Sequence, residues 1–82
     1  MMGEITKEIY LKNLGKRIST LRLERGWNQD TLGDKIGGVE RQSVSRLENG
    51  HHDPGSYTLI LLADAFGMTL KELIDFDFSA KE

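Results

Sequence analysis

Apolar residues recur at helical intervals of three and four along most of this chain, so the pattern predicts an all-α protein. The earliest inward face consists of Leu14, Ile18, Leu21 and Arg22. A later face consists of Leu59, Leu62, Ala63 and Phe66. Between them, two short helical patterns meet at the glycine pair Gly37 and Gly38. Two short helices around a glycine turn are typical of a helix-turn-helix.

The first of these short helices carries clear start and stop signals. Asn28 can cap its N-terminus, while Trp27 and Leu32 stand at the positions of a hydrophobic staple. The glycine pair ends the helix, because glycine reaches the left-handed conformation of a C-terminal cap without a steric penalty. We therefore expect a helix from about residue 29 to residue 36.

The next helix is predicted from about Glu40 to Asn49 and has two unlike faces. Its inward stripe is Val44, Leu47 and Glu48. Its opposite face is Arg41, Gln42, Ser45, Arg46 and Asn49. Arginine suits bidentate contact with guanine, glutamine suits adenine, and a helix fits the major groove. The opposite face therefore predicts DNA base reading by Arg41, Gln42, Ser45 and Arg46, although an ordinary solvated helix face is the alternative.

An acid on the inward stripe requires a cation, because a buried unpaired carboxylate costs several kcal/mol. Arg22 also lies on an inward face, and its guanidinium can grip a carboxylate at two points. We therefore expect a structural ion pair between Arg22 and Glu48.

Several segments together resemble the lambda-repressor-like, or XRE-type, regulators, which include lambdoid phage repressors, Cro and restriction-modification controllers. The segments are LGKRISTLRLERG, NQxxLxxKIG, SVSRLENG, DP and LLADAFGMTLKELI. The resemblance runs from Leu14 to Ile74. It implies a compact five-helix bundle that usually works as a dimer and places its third helix in the major groove.

The resemblance also implies roles for individual residues. Gln29 matches a position that clamps a DNA phosphate, the positions of Arg41, Gln42 and Arg46 face bases, and the positions of Arg22 and Glu48 pair internally. Phosphate contacts are expected from Gln29, Ser43, Asn49 and His51. The chain departs from the family pattern at Gly33, where alanine is usual, and in the turn GGVER, which is one residue longer. The longer turn could shift the start of the recognition helix.

Charge is divided unevenly along the chain. The whole sequence has a net charge of -2 and a pI near 5.6, which argues against indiscriminate nucleic-acid binding. Residues 1–50, however, include nine Lys and Arg residues and seven acids, so this part has a net charge of +2 and the remainder has a net charge of -4. This distribution predicts a DNA-reading end and an acidic end that serves self-association.

The acidic end shows two further helices. One begins at Gly55 or Ser56 and closes at Gly67, and the other starts with a capping box of Thr69 and Glu72. Apolar residues left over after the core form a pool of candidates for a homodimer interface. They are Ile60, Leu61, Leu70, Ile74, Phe76 and Phe78. The alternative is that several of them complete the core.

The expected organisation is an N-terminal extension over residues 1–12, a helix-turn-helix domain over 13–75 and a tail over 76–82. The extension could lengthen helix one, dock on a partner subunit, or remain frayed. If Lys7 and Lys12 reach DNA, they contact phosphates rather than bases.

Other function classes have little support in the sequence. There is no cysteine, signal peptide or membrane-length apolar run, so we expect a cytoplasmic protein without disulfides. His51 and His52 lack the spacing of a helical metal pair, which indicates a surface loop and no metal site. No catalytic motif, cofactor motif or effector pocket is evident. The hypothesis is a DNA-binding transcriptional regulator, with an interaction module such as an antitoxin as the alternative.

Overall fold

The structure is a computed structural model that describes residues 5–77, and five α-helices make up its regular secondary structure in that range. They are α1 (Lys7–Glu24), α2 (Gln29–Lys35), α3 (Arg41–Glu48), α4 (Ser56–Phe66) and α5 (Leu70–Leu73). The predicted five-helix, all-α fold is confirmed. None of the helices in this range is both long and apolar enough to cross a membrane.

The first helix starts earlier than the motif region does. The Thr6 side chain caps α1 by accepting a hydrogen bond from the Ile9 N–H at 3.2 Å. The helix then runs without interruption through the expected domain boundary at residue 13, and Leu11 is already buried. From Lys7 onward, the predicted N-terminal extension is therefore a backward continuation of helix one, while residues 1–4 lie outside the described part.

All five helices contribute to one core. The buried apolar side chains are Leu11, Leu14, Ile18, Leu21, Leu32, Ile36, Val44, Leu47, Leu62, Ala63, Phe66 and Leu73. The stripes predicted from periodicity account for most of this set, and Leu59 lies half-buried at its edge. The core therefore holds the two short helices, α2 and α3, against the longer α1 and α4.

The predicted caps are present. Asn28 Oδ1 accepts a hydrogen bond from the Thr31 N–H at 2.8 Å and so caps α2. Thr69 and Glu72 form a complete capping box at α5, with reciprocal bonds of 2.8 and 3.1 Å. Gly67 ends α4 in the left-handed conformation, at a φ of 74°. The N-termini of α2 and α5 are thus set by local side-chain hydrogen bonds, and the C-terminus of α4 by a glycine.

The two departures from the family pattern prove to be one feature. In the longer turn, the N–H groups of Gly38 and Val39 both donate to the Gly33 carbonyl, at 3.0 and 2.9 Å. The turn thereby folds back over α2, and a Cβ at Gly33 would collide with the Val39 carbonyl oxygen. The close approach that requires a glycine at this position is therefore between α2 and the turn itself.

Arg17 of α1 and Arg25, the residue that follows α1, tie the C-terminal helices to the rest of the bundle. Arg17 donates to the carbonyls of Glu72 and Leu73, at 2.7 and 3.0 Å. Arg25 donates to the Phe66 carbonyl at 2.7 Å, and its guanidinium lies 5.0 Å from the Phe66 ring centroid. Both guanidinium groups donate to carbonyls at helix C-terminal ends, where the last carbonyls have no partner within their own helix. These arginines are therefore structural.

The pool of dimer candidates is only partly exposed. Leu61, Leu70, Ile74 and Phe76 are half-buried and pack against the core. Ile60 is 51% exposed, and the neighbouring Tyr57, one turn earlier on α4, is 71% exposed. Phe78 lies outside the described residues. The packing thus favours the alternative that several members of the pool complete the core, and it leaves Ile60 as the exposed candidate among those described.

Candidate nucleic-acid interface

Helix α3 presents the side chains that were expected to read DNA. Val44 and Leu47 are buried, and Glu48 points inward with a side chain only 6% exposed. On the outer side, Arg41, Gln42, Arg46 and Asn49 are exposed and Ser45 is half-buried. The helix has eight residues and so is about 12 Å long. It therefore offers a short polar ridge on an apolar base.

A bidentate ion pair holds the C-terminal end of this ridge. Arg22 Nε and Nη2 donate to the two carboxylate oxygens of Glu48, at 2.7 and 3.0 Å. The third nitrogen of the guanidinium, Nη1, donates to the Trp27 carbonyl at 2.8 Å. The hydrogen bond with Glu48 raises the pKa of Arg22, and the opposite charge of Glu48 adds to the rise, whereas burial acts against it. The pair joins α1, the α1–α2 loop and α3.

Gln29 extends this network to the start of α2. Its Nε2 donates to Glu48 Oε1 at 3.1 Å. A side-chain amide nitrogen carries two hydrogens, so this bond leaves a second N–H that can reach an anion. The carboxylate of Glu48 therefore orients the amide of Gln29 with its nitrogen next to the ion pair.

Close backbone contact between α1 and α3 sets how near the two helices lie to each other. The carbonyl groups of Leu47 and Glu48 lie directly against Gly15, where a Cβ would collide with them. Sequence reasoning missed this residue. The available signal was a glycine inside a strongly helical pattern, which costs about 1 kcal/mol of helix propensity and usually has a packing reason.

The chain leaves α3 through a tight left-handed turn. Gly50 has a φ of 77°, and the following His51 N–H donates to the Arg46 carbonyl at 2.8 Å. Asn49 Nδ2 lies 3.4 Å from Ser45 Oγ, so these two polar residues are neighbours on the outer face. This turn places the exposed side chain of His51 close to the C-terminal end of α3.

A groove separates the ridge from the start of α2. It is lined by Gln29, Asp30, Glu40, Arg41, Gln42 and Ser45. The structure therefore brings together four residues predicted from the sequence, namely Gln29, Arg41, Gln42 and Ser45. The other predicted contacts lie outside the groove, and they are Ser43, Arg46, Asn49 and His51. Arg41 Nη1 and Asp30 Oδ2 are 3.9 Å apart, and both side chains are mostly exposed. Asp30 and Glu40, which the sequence analysis did not assign to the site, place two carboxylates beside the reading face.

The positive charge near α3 is smaller than the sequence count suggests. Arg17, Arg22 and Arg25 are engaged with other helices, and Lys7 pairs with Asp53 at 3.6 Å. Within residues 5–77, no group of three or more His, Cys, Asp or Glu side chains is arranged to hold a metal ion. The surface around α3 therefore has few free cations, and its other exposed side chains are polar and suited to hydrogen bonding.

Comparisons with known proteins agree with this geometry. Residues 18–73 match a family model described as helix-turn-helix. The chain is 30% identical to the HTH-type transcriptional regulator YgzD of Bacillus subtilis over 57 residues, which cover 70% of this chain and 85% of the relative.

Two solved structures share the fold at substantial identity. The restriction-modification controller C.AhdI of Aeromonas hydrophila has a TM-score of 0.71 and 30% identity, covering 77% of this chain and 94% of the controller. The P22 c2 repressor, solved in complex with a synthetic operator, has a TM-score of 0.69 and 26% identity, covering 78% and 96%. The family consists of DNA-binding regulators rather than enzymes. This chain belongs to the XRE-type helix-turn-helix family of transcriptional regulators.

Proposed function

We propose that this protein is a cytoplasmic, homodimeric repressor that reads a pseudo-palindromic operator with α3 in the major groove. The observation that carries the proposal is the exposed outer face of α3, held in place by the buried pair of Arg22 and Glu48. An α-helix with its side chains is about 10 to 12 Å in diameter and so fits the major groove, which is about 12 Å wide. Dimers of this architecture bind half-sites about one helical turn apart.

Base reading is assigned to Arg41, Gln42, Ser45 and Arg46. Arg46 lies on the exposed face in the last turn of α3, and within the described residues it forms no ion pair. Arg41 must first leave Asp30, but an exposed pair at 3.9 Å is worth less than about 1 kcal/mol. A bidentate contact with guanine, worth about 1 to 3 kcal/mol, is therefore strong enough to draw Arg41 away.

Phosphate contacts are assigned to Gln29, Ser43, Asn49 and His51. Gln29 is the best prepared of them, because Glu48 fixes its amide while one N–H stays available. Contacts of this kind position the protein without reading sequence. Loss of any one of these side chains should weaken binding to all DNA sequences by similar factors.

Arg46→Ala is expected to lose about 1 to 3 kcal/mol on the preferred site and to relax specificity at one base position. Arg46→Lys is the matched control, because lysine keeps the charge but lacks the planar fork. We expect Arg46→Lys to recover general DNA affinity and not the lost preference. Fluorescence anisotropy on the preferred site and on single-base variants measures both; full recovery by lysine would instead make Arg46 a phosphate contact.

The dimer is assigned to the outer face of α4, where Tyr57 and Ile60 lie one turn apart. Adjacent exposed apolar residues mark an interaction surface better than isolated ones do. We expect the wild-type protein to be a dimer at tens of micromolar in sedimentation equilibrium, and Ile60→Asp to be a monomer at the same concentration. Leu23→Asp is the control, since Leu23 is 62% exposed on α1. A wild-type monomer at tens of micromolar, or equal effects of the two substitutions, would count against this interface.

A controller that also activates transcription is the second candidate, and the 30% identity to C.AhdI favours it. Repressor and controller would read DNA through the same face of α3. A promoter-reporter assay separates them, because a repressor lowers transcription from the bound promoter and an activating controller raises it.

A further inference from the structure

A second groove borders α3 on the side of α1, and of the residues that line it the proposed function assigns a DNA contact to Asn49 alone. It is lined by Lys12, Asn13, Lys16, Glu48 and Asn49. The two lysines lie one helical turn apart on α1, and both are exposed. The groove therefore combines two ammonium groups with two side-chain amides.

The acid in this groove does not offset the lysines. The Glu48 side chain is 6% exposed, and both of its oxygens already accept hydrogen bonds from Arg22. Within residues 5–77 neither Lys12 nor Lys16 forms an ion pair, whereas Lys7 on the same helix pairs with Asp53 at 3.6 Å. The groove beside α1 therefore has two lysine side chains whose positive charge is available to a ligand.

The location of the groove identifies that ligand. Asn49 belongs to the exposed face of α3 and neighbours Ser45, which lines the groove at the start of α2. One groove therefore lies between α3 and α2, and the other lies between the end of α3 and α1. A helix in the major groove has a phosphate backbone on each side. Cations beside the reading helix are placed for such a backbone.

We propose that Lys12 and Lys16 form a second phosphate anchor, which holds the DNA backbone on the α1 side of α3. This inference rests on the proposed DNA-binding function and deepens it. The anchor adds affinity and no base preference, because contacts with phosphates carry no sequence information. It also assigns a function to the early turns of α1, which precede the arginines that hydrogen-bond to the other helices.

A purely structural role for the lysines is the competing explanation. Cations near the C-terminal end of a helix stabilise it through the helix dipole, and both lysines lie near the end of α3. Such a role would show itself as a lower thermal stability of variants without the charge. It would not change the dependence of DNA binding on salt, which reports the number of phosphates neutralised.

The test measures binding of the full chain to its preferred DNA site and to random duplex DNA across a range of salt concentrations. For Lys12→Gln and Lys16→Gln, each phosphate that is no longer neutralised should reduce the slope of log K against log salt by about 0.9. Affinity near physiological salt should fall about five-fold for each lysine, equally on both DNAs. Lys71→Gln, an exposed lysine of α5, is the control and should leave the slope unchanged.

Replacing both lysines by arginine should restore the wild-type slope, since the charge is retained. If wild-type protein binds DNA and the glutamine variants keep its slope, the anchor is overturned while the proposed function stands. A lower melting temperature with an unchanged slope would likewise overturn it in favour of the structural role. If folded wild-type protein binds neither DNA, both proposals fail.

Discussion

Arg22→Ala and Glu48→Ala are each expected to destabilise the protein by about 3 to 5 kcal/mol, because either change leaves an uncompensated charge in the interior. The side chains of Arg22 and Glu48 are only 11% and 6% exposed, and they share two hydrogen bonds. For a domain of this size, 1 kcal/mol corresponds to about 4 to 8 °C in melting temperature. Thermal unfolding should therefore show a fall of well over 10 °C.

The chain supplies its own control for this measurement. Asp30 and Arg41 form an exposed pair at 3.9 Å, which should contribute less than about 1 kcal/mol. Asp30→Ala should therefore melt within a few degrees of wild type. Melting temperatures for Arg22→Ala and Glu48→Ala that match that of Asp30→Ala would show that the buried network does not hold α3.

Glu48→Ala should also weaken DNA binding beyond its effect on stability. The carboxylate holds the Gln29 amide at 3.1 Å, and its loss frees that side chain from its fixed orientation. Because a phosphate contact carries no base preference, the decrease in affinity should be similar on preferred and random DNA. Binding must be measured well below the lowered melting temperature so that the two effects stay separate.

Gly15→Ala carries the second large expected effect. In an exposed helix this substitution would gain about 1 kcal/mol of helix propensity. Here the added methyl group would collide with the backbone carbonyls of Leu47 and Glu48, which cannot rotate away as a side chain does. Overpacking of this kind costs about 1 to 3 kcal/mol, so we expect a net loss of stability.

The same collision should displace the end of the reading helix. Either α3 moves away from α1 or α1 bends, and both change the position of Arg46 relative to DNA. We expect weaker and less discriminating DNA binding together with a lower melting temperature. Thr20→Ala, on the exposed side of the same helix, is the control and should be neutral or stabilising. A Gly15→Ala variant as stable as wild type would contradict the close packing of α1 on α3.

Local signals in the sequence account for much of the fold. The cap at Asn28, the capping box of Thr69 and Glu72, and the left-handed Gly67 depend on residues close together in the chain. The contact between Arg22 and Glu48 spans 26 residues, yet it follows from the cost of burying either charge alone. The caps were predictable because they depend on residues a few positions apart. The ion pair was predictable because a buried carboxylate requires a cation and Arg22 lies on an inward face.

Contacts that depend on how helices approach each other were less accessible. Arg17 and Arg25 counted as available positive charge in the sequence, but they serve the carbonyl ends of α5 and α4. Periodicity gives the inward face of a helix and not its partner, so the packing of Leu61, Leu70 and Ile74 on the core was left undecided. For the same reason the packing partner of Gly15 and the groove beside Lys16 became visible only in three dimensions.

The central claim is that this protein binds a specific double-stranded DNA sequence through α3. The most direct test is selection of binding sites from a random DNA pool with purified protein near physiological salt. We expect an enriched inverted repeat whose half-sites lie about one helical turn apart. Failure of a demonstrably folded protein to enrich any sequence would contradict the claim and favour a role in binding another protein.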